Sequence, residues 1–171
     1  AGRRYFLDKS SAGHGNQVMI GETVLVSACL LGINCRYDGG HAYCPEVFDD
    51  LSQRHFIPVC PEQLGGLTTP RLPARIEGGD GADVWHGKAK VINQSGEEVT
   101  EAFQKGAQET LAIAQLAKAK RAILKDHSPS CGSQFVYATA GLIKGIGVTA
   151  ALLAKNGMAV ENELGESLLS K

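Results

Sequence analysis

The sequence predicts an α/β fold: a single domain in which a mostly parallel, Rossmann-like sheet is flanked by helices. Three observations carry that prediction. Residues 22–29, 56–60 and 121–125 are short runs bearing valine and isoleucine, with strand length and strand composition. A long segment of helical period, residues 100–119, separates the second run from the third. Strands joined through helices pair in parallel, because parallel neighbours need a crossover that a tight turn cannot supply.

Each element has its own reason. Residues 22–29 (ETVLVSAC) are apolar and lead into a glycine-containing segment, the pattern of a buried first strand. Pro45 suits the first turn of a helix, where its missing N–H costs nothing, and Val47, Phe48, Leu51 and His55 follow at helical spacing. Residues 56–60 (FIPVC) read as a second strand, and Pro58, which cannot donate to a ladder, places it at an edge. The Pro- and Gly-rich residues 61–81 are expected to form a long, site-bearing loop, and the alternating residues 84–93 a hairpin or extended piece. In the helix over 100–119, Thr100 is the expected cap, and Phe103, Ala107, Thr110, Leu111, Ala114 and Ala117 form one apolar stripe. Residues 121–125 (RAILK) are a third strand, ending in the turn-rich loop 126–132 (DHSPSCG). A short helix over 148–156 is closed by Gly157, then come a last strand at 158–160 and a terminal helix at 164–169. Residues 1–17 have neither period and precede Met19, so they are expected to be a leader, leaving 18–171 as the domain.

Composition narrows the function. Of 171 residues, 43% are hydrophobic and 20% charged, enough for a core without disulfide staples. Seventeen basic against eighteen acidic residues give a net charge of -1, which argues against binding nucleic acid or acidic lipid by bulk charge. No apolar run approaches the roughly 20 residues of a membrane helix, and no secretory signal opens the chain, so the expected compartment is the reducing cytoplasm.

The five cysteines are the unusual feature. Cys29, Cys60 and Cys131 each sit at, or a few residues past, the C-terminal end of an expected strand. Ligands of open α/β sheets bind in the crevice outside those ends, so the three thiols are expected to converge there. Three thiolates suit an iron–sulfur cluster with one open iron, or a zinc site completed by water or His. A redox pair of Cys29 and Cys35, or plain buried cysteines, are the alternatives. Residues 145–150 (GIGVTA) match the dinucleotide fingerprint, but too little chain remains after them for a Rossmann half. His41, His55, His86 and His127 show no ligand spacing.

Residues 27–39 (SACLLGINCRYDG) resemble the opening signature of the thiouracil desulfidase family. Residues 58–66 (PVCPEQLGG) with 69–71 (TPR), 128–132 (SPSCG) and 147–150 (GVTA) are similar to later blocks of that family, in the right order. The resemblance implies a [4Fe-4S] cluster held by Cys29, Cys60 and Cys131, with one iron not bound by protein. It implies removal of sulfur from a thiolated pyrimidine without net redox change: thiouracil plus water giving uracil plus hydrogen sulfide. Cys35 belongs to the signature and is the alternative ligand; Cys44 lies outside every block.

Glu62, two residues after a ligand cysteine, is the candidate general acid/base, against a solvated loop carboxylate. Ser128, three before Cys131, is the candidate proton relay, against a turn or cap residue. Arg36 and Arg71 are candidate clamps or structural ion pairs. Arg75 and Asp126-His127 depart from many relatives, which bears on substrate choice. Relatives acting on thiolated transfer RNA carry an added domain, so a small thiolated base or nucleoside is the expected substrate here. The rival classes are a [4Fe-4S] or zinc sensor without turnover, and a thiol redox enzyme using Cys29 and Cys35.

Overall fold

The computed structural model describes residues 21–169, so the expected leader lies outside the described residues. Its centre is strand β1 (Thr23–Ser27), whose Val24, Leu25 and Val26 are fully buried. β1 pairs in parallel with β2 (His55–Val59) on one side and β5 (Arg121–Leu124) on the other, and β5 pairs in parallel with β8 (Ala159–Asn162). The order is β2-β1-β5-β8, which puts β2 and its Pro58 at an edge as expected. Alternate residues face opposite sides. Val24, Val26 and Ile123 pack under helix α1 (Pro45–Leu51) through Val47 and Leu51, while Leu25, Ala122 and Leu124 pack against Ala114 of α4 (Thr100–Leu116) and Leu153 of α5 (Val148–Lys155). Each fully buried aliphatic of this kind contributes about 1.5–3 kcal/mol relative to exposure.

A second sheet lies beside the first, in the order β4-β3-β6-β7, from β3 (Ala74–Glu77), β4 (Lys90–Asn93), β6 (Phe135–Ala138) and β7 (Gly141–Lys144). β3/β4 and β6/β7 are antiparallel, and β3 meets β6 in parallel at Ile76 and Ala138. Ile76, Val91, Val136, Phe103 and Val148 join it to α3 (Gly81–Trp85), α4 and α5. The chain is therefore a mixed α/β single domain with a parallel sheet flanked by helices. Among the described residues, no helix is long and apolar enough to cross a membrane.

Four local expectations are corrected. Residues 61–81 are not one loop: they hold α2 (Pro61–Leu64) and β3. The alternating residues 84–93 begin inside α3, because the Asp80 carboxylate accepts from Ala82 and Asp83 N–H and caps a helix there. Thr100 does not cap α4; it is the helix's first residue, and its hydroxyl oxygen accepts from Val91 N–H at 2.9 Å on β4. No helix forms at 164–169, because Asn162 Oδ1 accepts from Leu164 and Glu166 N–H and Ser167 then bridges back to Glu161.

The approach of α2 to α4 positions the site. A Cβ on Gly106 would lie 1.8 Å from Pro61 O, and one on Gly65 would lie 2.0 Å from Ala102 O. The two helices touch backbone to backbone, which only glycine at both places permits.

Candidate functional site

The C-terminal ends of β1, β2 and β5 open onto a cavity of about 550 Å³. Cys29, Cys35, Cys60 and Cys131 all line it. Cys29 lies in the 3-10 helix Ala28–Leu31 directly after β1. Gly32, at φ 84°, ends that helix, its N–H bonding back to Cys29 O, and turns the chain so that Cys35 returns to the same face. Cys60 comes just after β2 and occupies the capping position of α2.

Cys131 sits in a tight turn. The Ser128 hydroxyl oxygen accepts from Ser130 N–H at 3.2 Å and Cys131 N–H at 3.1 Å, and Ser128 O accepts from Gly132 N–H at 2.9 Å. The turn lies on the start of α5, where Val148 N–H bonds to Pro129 O and Thr149 N–H to Ser130 O, both at 2.9 Å. A Cβ on Gly147 would lie 2.3 Å from Ser130 O, and one on Gly145 would lie 2.9 Å from the Asp80 side chain. The apparent dinucleotide fingerprint thus has a packing cause: its glycines admit the Cys131 turn and Asp80, and this chain's own carbonyls occupy the helix N–H groups that would bind a phosphate.

Asp126 pins the same loop. Its Oδ1 accepts from Ser133, Gln134 and Phe135 N–H at 3.0, 3.2 and 3.1 Å, and its Oδ2 from Asn162 Nδ2 at 3.2 Å. Burial pushes its carboxyl up, but the converging N–H donors outweigh burial and hold it below the usual aspartate range.

The thiols crowd one another. Cys35 is in hydrogen-bonding contact with the side chains of Cys29 and Cys60, and Cys60 Sγ also donates to Cys35 O at 3.6 Å. The Cys29 contact, with burial, pushes Cys35 up to about 11. The Cys35 contact and burial push Cys60 well above the ordinary thiol range, and desolvation takes Cys131 to about 12. Buried thiols so placed become thiolates when a cationic centre is set among them. Among the described residues, no three His, Cys, Asp or Glu groups meet at the spacing of a single ion. The donor set facing the cavity is sulfur, the soft donor that iron–sulfur groups use, so these residues fit the expected cluster by chemistry. Cys44 is elsewhere: it is half-buried at the start of α1, with its thiol 3.3 Å from Glu46 Oε2.

Glu62 lines the cavity from the first turn of α2. It is not a solvated loop carboxylate. Its Oε2 accepts from Arg71 Nε at 2.6 Å, with the two side chains only 17% and 7% exposed. Arg71 is held in turn by Nη1 to Thr68 O and Thr69 Oγ1, both 3.2 Å, and by its main-chain N–H to Tyr37 O at 2.8 Å. Arg36 is ion-paired with Asp38 at 3.6 Å and stacks over Tyr37. Arg75 pairs with Glu77 at 2.6 Å, and Lys125 with Glu163. His127, at φ 59°, sets its ring edge-on to Phe135. Sequence reasoning missed Tyr137, which lines the cavity from β6 of the second sheet, Gln94, which lines it from the turn after β4, and Lys125. No local pattern in the sequence joined that sheet to the first.

The sequence profile of the 2-thiouracil desulfurase family matches residues 24–164. The uncharacterized protein YbbK of Bacillus subtilis (strain 168) is 49% identical over 150 residues, covering 85% of this chain and 99% of its own length. A solved structure of the [4Fe-4S]-dependent thiouracil desulfidase TudS matches with a TM-score of 0.73 at 37% identity, over 83% of this chain and 91% of that one. Profile, relative and fold agree with the sequence blocks, and the chain belongs to the 2-thiouracil desulfurase family.

Proposed function

We propose that this chain is a [4Fe-4S]-dependent desulfidase that converts a thiouracil-type base or nucleoside to its oxo form and releases hydrogen sulfide without net redox change. The observation that carries the reading is one cavity lined by cysteines from three distant blocks together with Glu62 and Ser128. Cys29, Cys60 and Cys131 would hold the cluster, with Cys35 the alternative ligand. When bound, the group supplies a Lewis-acidic iron without a protein ligand, able to polarise a thiocarbonyl sulfur.

The rest of the chemistry falls to the chain. Glu62 keeps Oε2 on Arg71, and Oε1, without a partner among the described residues, takes the proton of the attacking water and passes it to the departing sulfur. Ser128 accepts two N–H groups through its oxygen, so its own proton remains to be donated into the cavity. The water oxygen bonds to the carbon as the C–S bond breaks and both water protons end on sulfur, so thiouracil and water become uracil and hydrogen sulfide with no electron donor required. A cavity of about 550 Å³ is of small-molecule size. That supports a base or nucleoside over transfer RNA.

The test is sulfide release by the anaerobically prepared protein over a panel of thiolated bases and nucleosides. Turnover that needs iron supports the reading. Cluster binding without sulfide release from any of them would leave a sensor, and activity of the iron-free protein would leave a thiol enzyme.

A further inference from the structure

We propose that Arg71 is the positioning residue of Glu62, fixing the one orientation in which the carboxylate faces the substrate. The inference rests on the reading of Glu62 given above. Helix α2 is only four residues long, Pro61–Leu64, and Glu62 has three side-chain torsions, so the backbone alone does not aim the carboxylate. Two destinations are open to it. Glu62 and Arg71 line both the 550 Å³ cavity with the cysteines and a second cavity of about 340 Å³, which reaches Leu72, Asn93, Glu97 and Phe103. The pair is the wall between them.

Arg71 decides between the two. Its Nε holds Glu62 Oε2 at 2.6 Å, while Nη1 is spent on Thr68 O and Thr69 Oγ1 at 3.2 Å. Thr69 Oγ1 also accepts from Gln63 Nε2 at 2.8 Å, which ties Arg71 back to the helix that carries Glu62. The main-chain N–H of Arg71 bonds to Tyr37 O at 2.8 Å, which fixes the backbone, while the Nη1 bonds anchor the guanidinium independently of Glu62. The rigid guanidinium lets Nε hold Glu62 while Nη1 holds the loop, and a rotatable ammonium is not fixed in that way. Without the guanidinium, the carboxylate is free to swing into the second cavity.

The experiment compares Arg71→Ala, Arg71→Met and Arg71→Lys with the unsubstituted holoenzyme, reading kcat, KM, iron per chain and cluster absorbance. Arg71→Ala is expected to keep its iron and nearly its KM and to lose about 10²-fold in kcat, the scale of a 1 Å misplacement of a reacting group. Millimolar guanidinium, entering the space beside the second cavity, is expected to restore part of that kcat. Arg71→Met fills the space and is not rescued, and Arg71→Lys falls between Ala and the native residue. Native kcat in Arg71→Ala, a loss confined to KM, a loss that tracks lost iron, or absence of rescue would each overturn the inference. Should Arg71→Ala not fold, Arg71→Lys carries the test: reduced kcat at unchanged KM and iron supports it, native kcat refutes it. Glu62→Gln, assayed alongside, separates two failures. If it is fully active the reading of Glu62 has failed; if it is dead while Arg71→Ala is not, only the positioning role has.

Discussion

Gly106→Ala sets two effects of opposite sign against each other. Helix propensity alone makes the alanine variant more stable by about 0.8–1 kcal/mol, since Gly106 lies inside α4. The structure predicts the reverse. The new Cβ would stand 1.8 Å from Pro61 O, and reaching ordinary contact at 3.4 Å takes a separation of about 1.6 Å between α2 and α4. Both partners are backbone, so no rotamer change relieves the clash. Overpacking of this kind costs about 1–3 kcal/mol, and the net expectation is a destabilisation of up to about 2 kcal/mol after the propensity gain. Because Pro61 precedes Glu62, the same shift carries the carboxylate away from the thiols, and kcat should fall about 10²-fold. Urea denaturation gives the first quantity; sulfide release with iron per chain gives the second. An alanine variant as stable as the native protein, with native kcat, would refute the claim that backbone contact seats α2.

Three further outcomes are expected. Glu62→Gln keeps shape and hydrogen bonding but not the proton, so turnover should drop about 10²- to 10⁴-fold while iron content stays, measured by sulfide release and iron analysis. Cys131→Ser should lose most of its iron, because a hydroxyl is a poor ligand for iron, while Cys44→Ser should retain a full complement. Asp126→Asn should cost about 1.5–3 kcal/mol near neutral pH, the worth of hydrogen bonds to a charged acceptor. Asp126 is depressed in the folded state, so its contribution is full above the unfolded aspartate value near 4 and fades as pH falls through the lower folded value. Urea midpoints of the two proteins should therefore converge on acidification, and a gap that persisted would show that charge is not the cause.

Periodicity and chain punctuation reached part of this molecule and stopped where distance took over. β1, β2, β5 and α4 were legible because Val24, Val26, Ile123 and the Phe103–Ala107–Thr110–Ala114 stripe repeat at the periods of their elements. The meeting of Cys29, Cys60 and Cys131 at one cavity came from placing each at the end of a parallel strand. The β6/β7 hairpin was not legible: it comes after a turn-rich loop, and both Tyr137 and Leu142 are exposed, so no clean inside face alternates along it. The Glu62–Arg71 pair spans a loop whose course no period encodes. Nor does any local pattern tell Gly65 and Gly106 that they meet.

The seating of the Cys131 turn has a consequence for how the protein comes into being. Cys29 and Cys60 follow neighbouring strands within the first 60 residues of the chain. Cys131 depends on residues C-terminal to it: its turn rests on Gly147 and Val148, Asp126 is bonded by Asn162, and Ser133 O accepts from Leu169 N–H at 2.8 Å. A chain emerging from the ribosome N-terminus first therefore displays two of these thiols while the third still lacks its footing. The cavity is complete only once the residues through Leu169 have been made, so of the three thiols Cys131 is the last to find its footing.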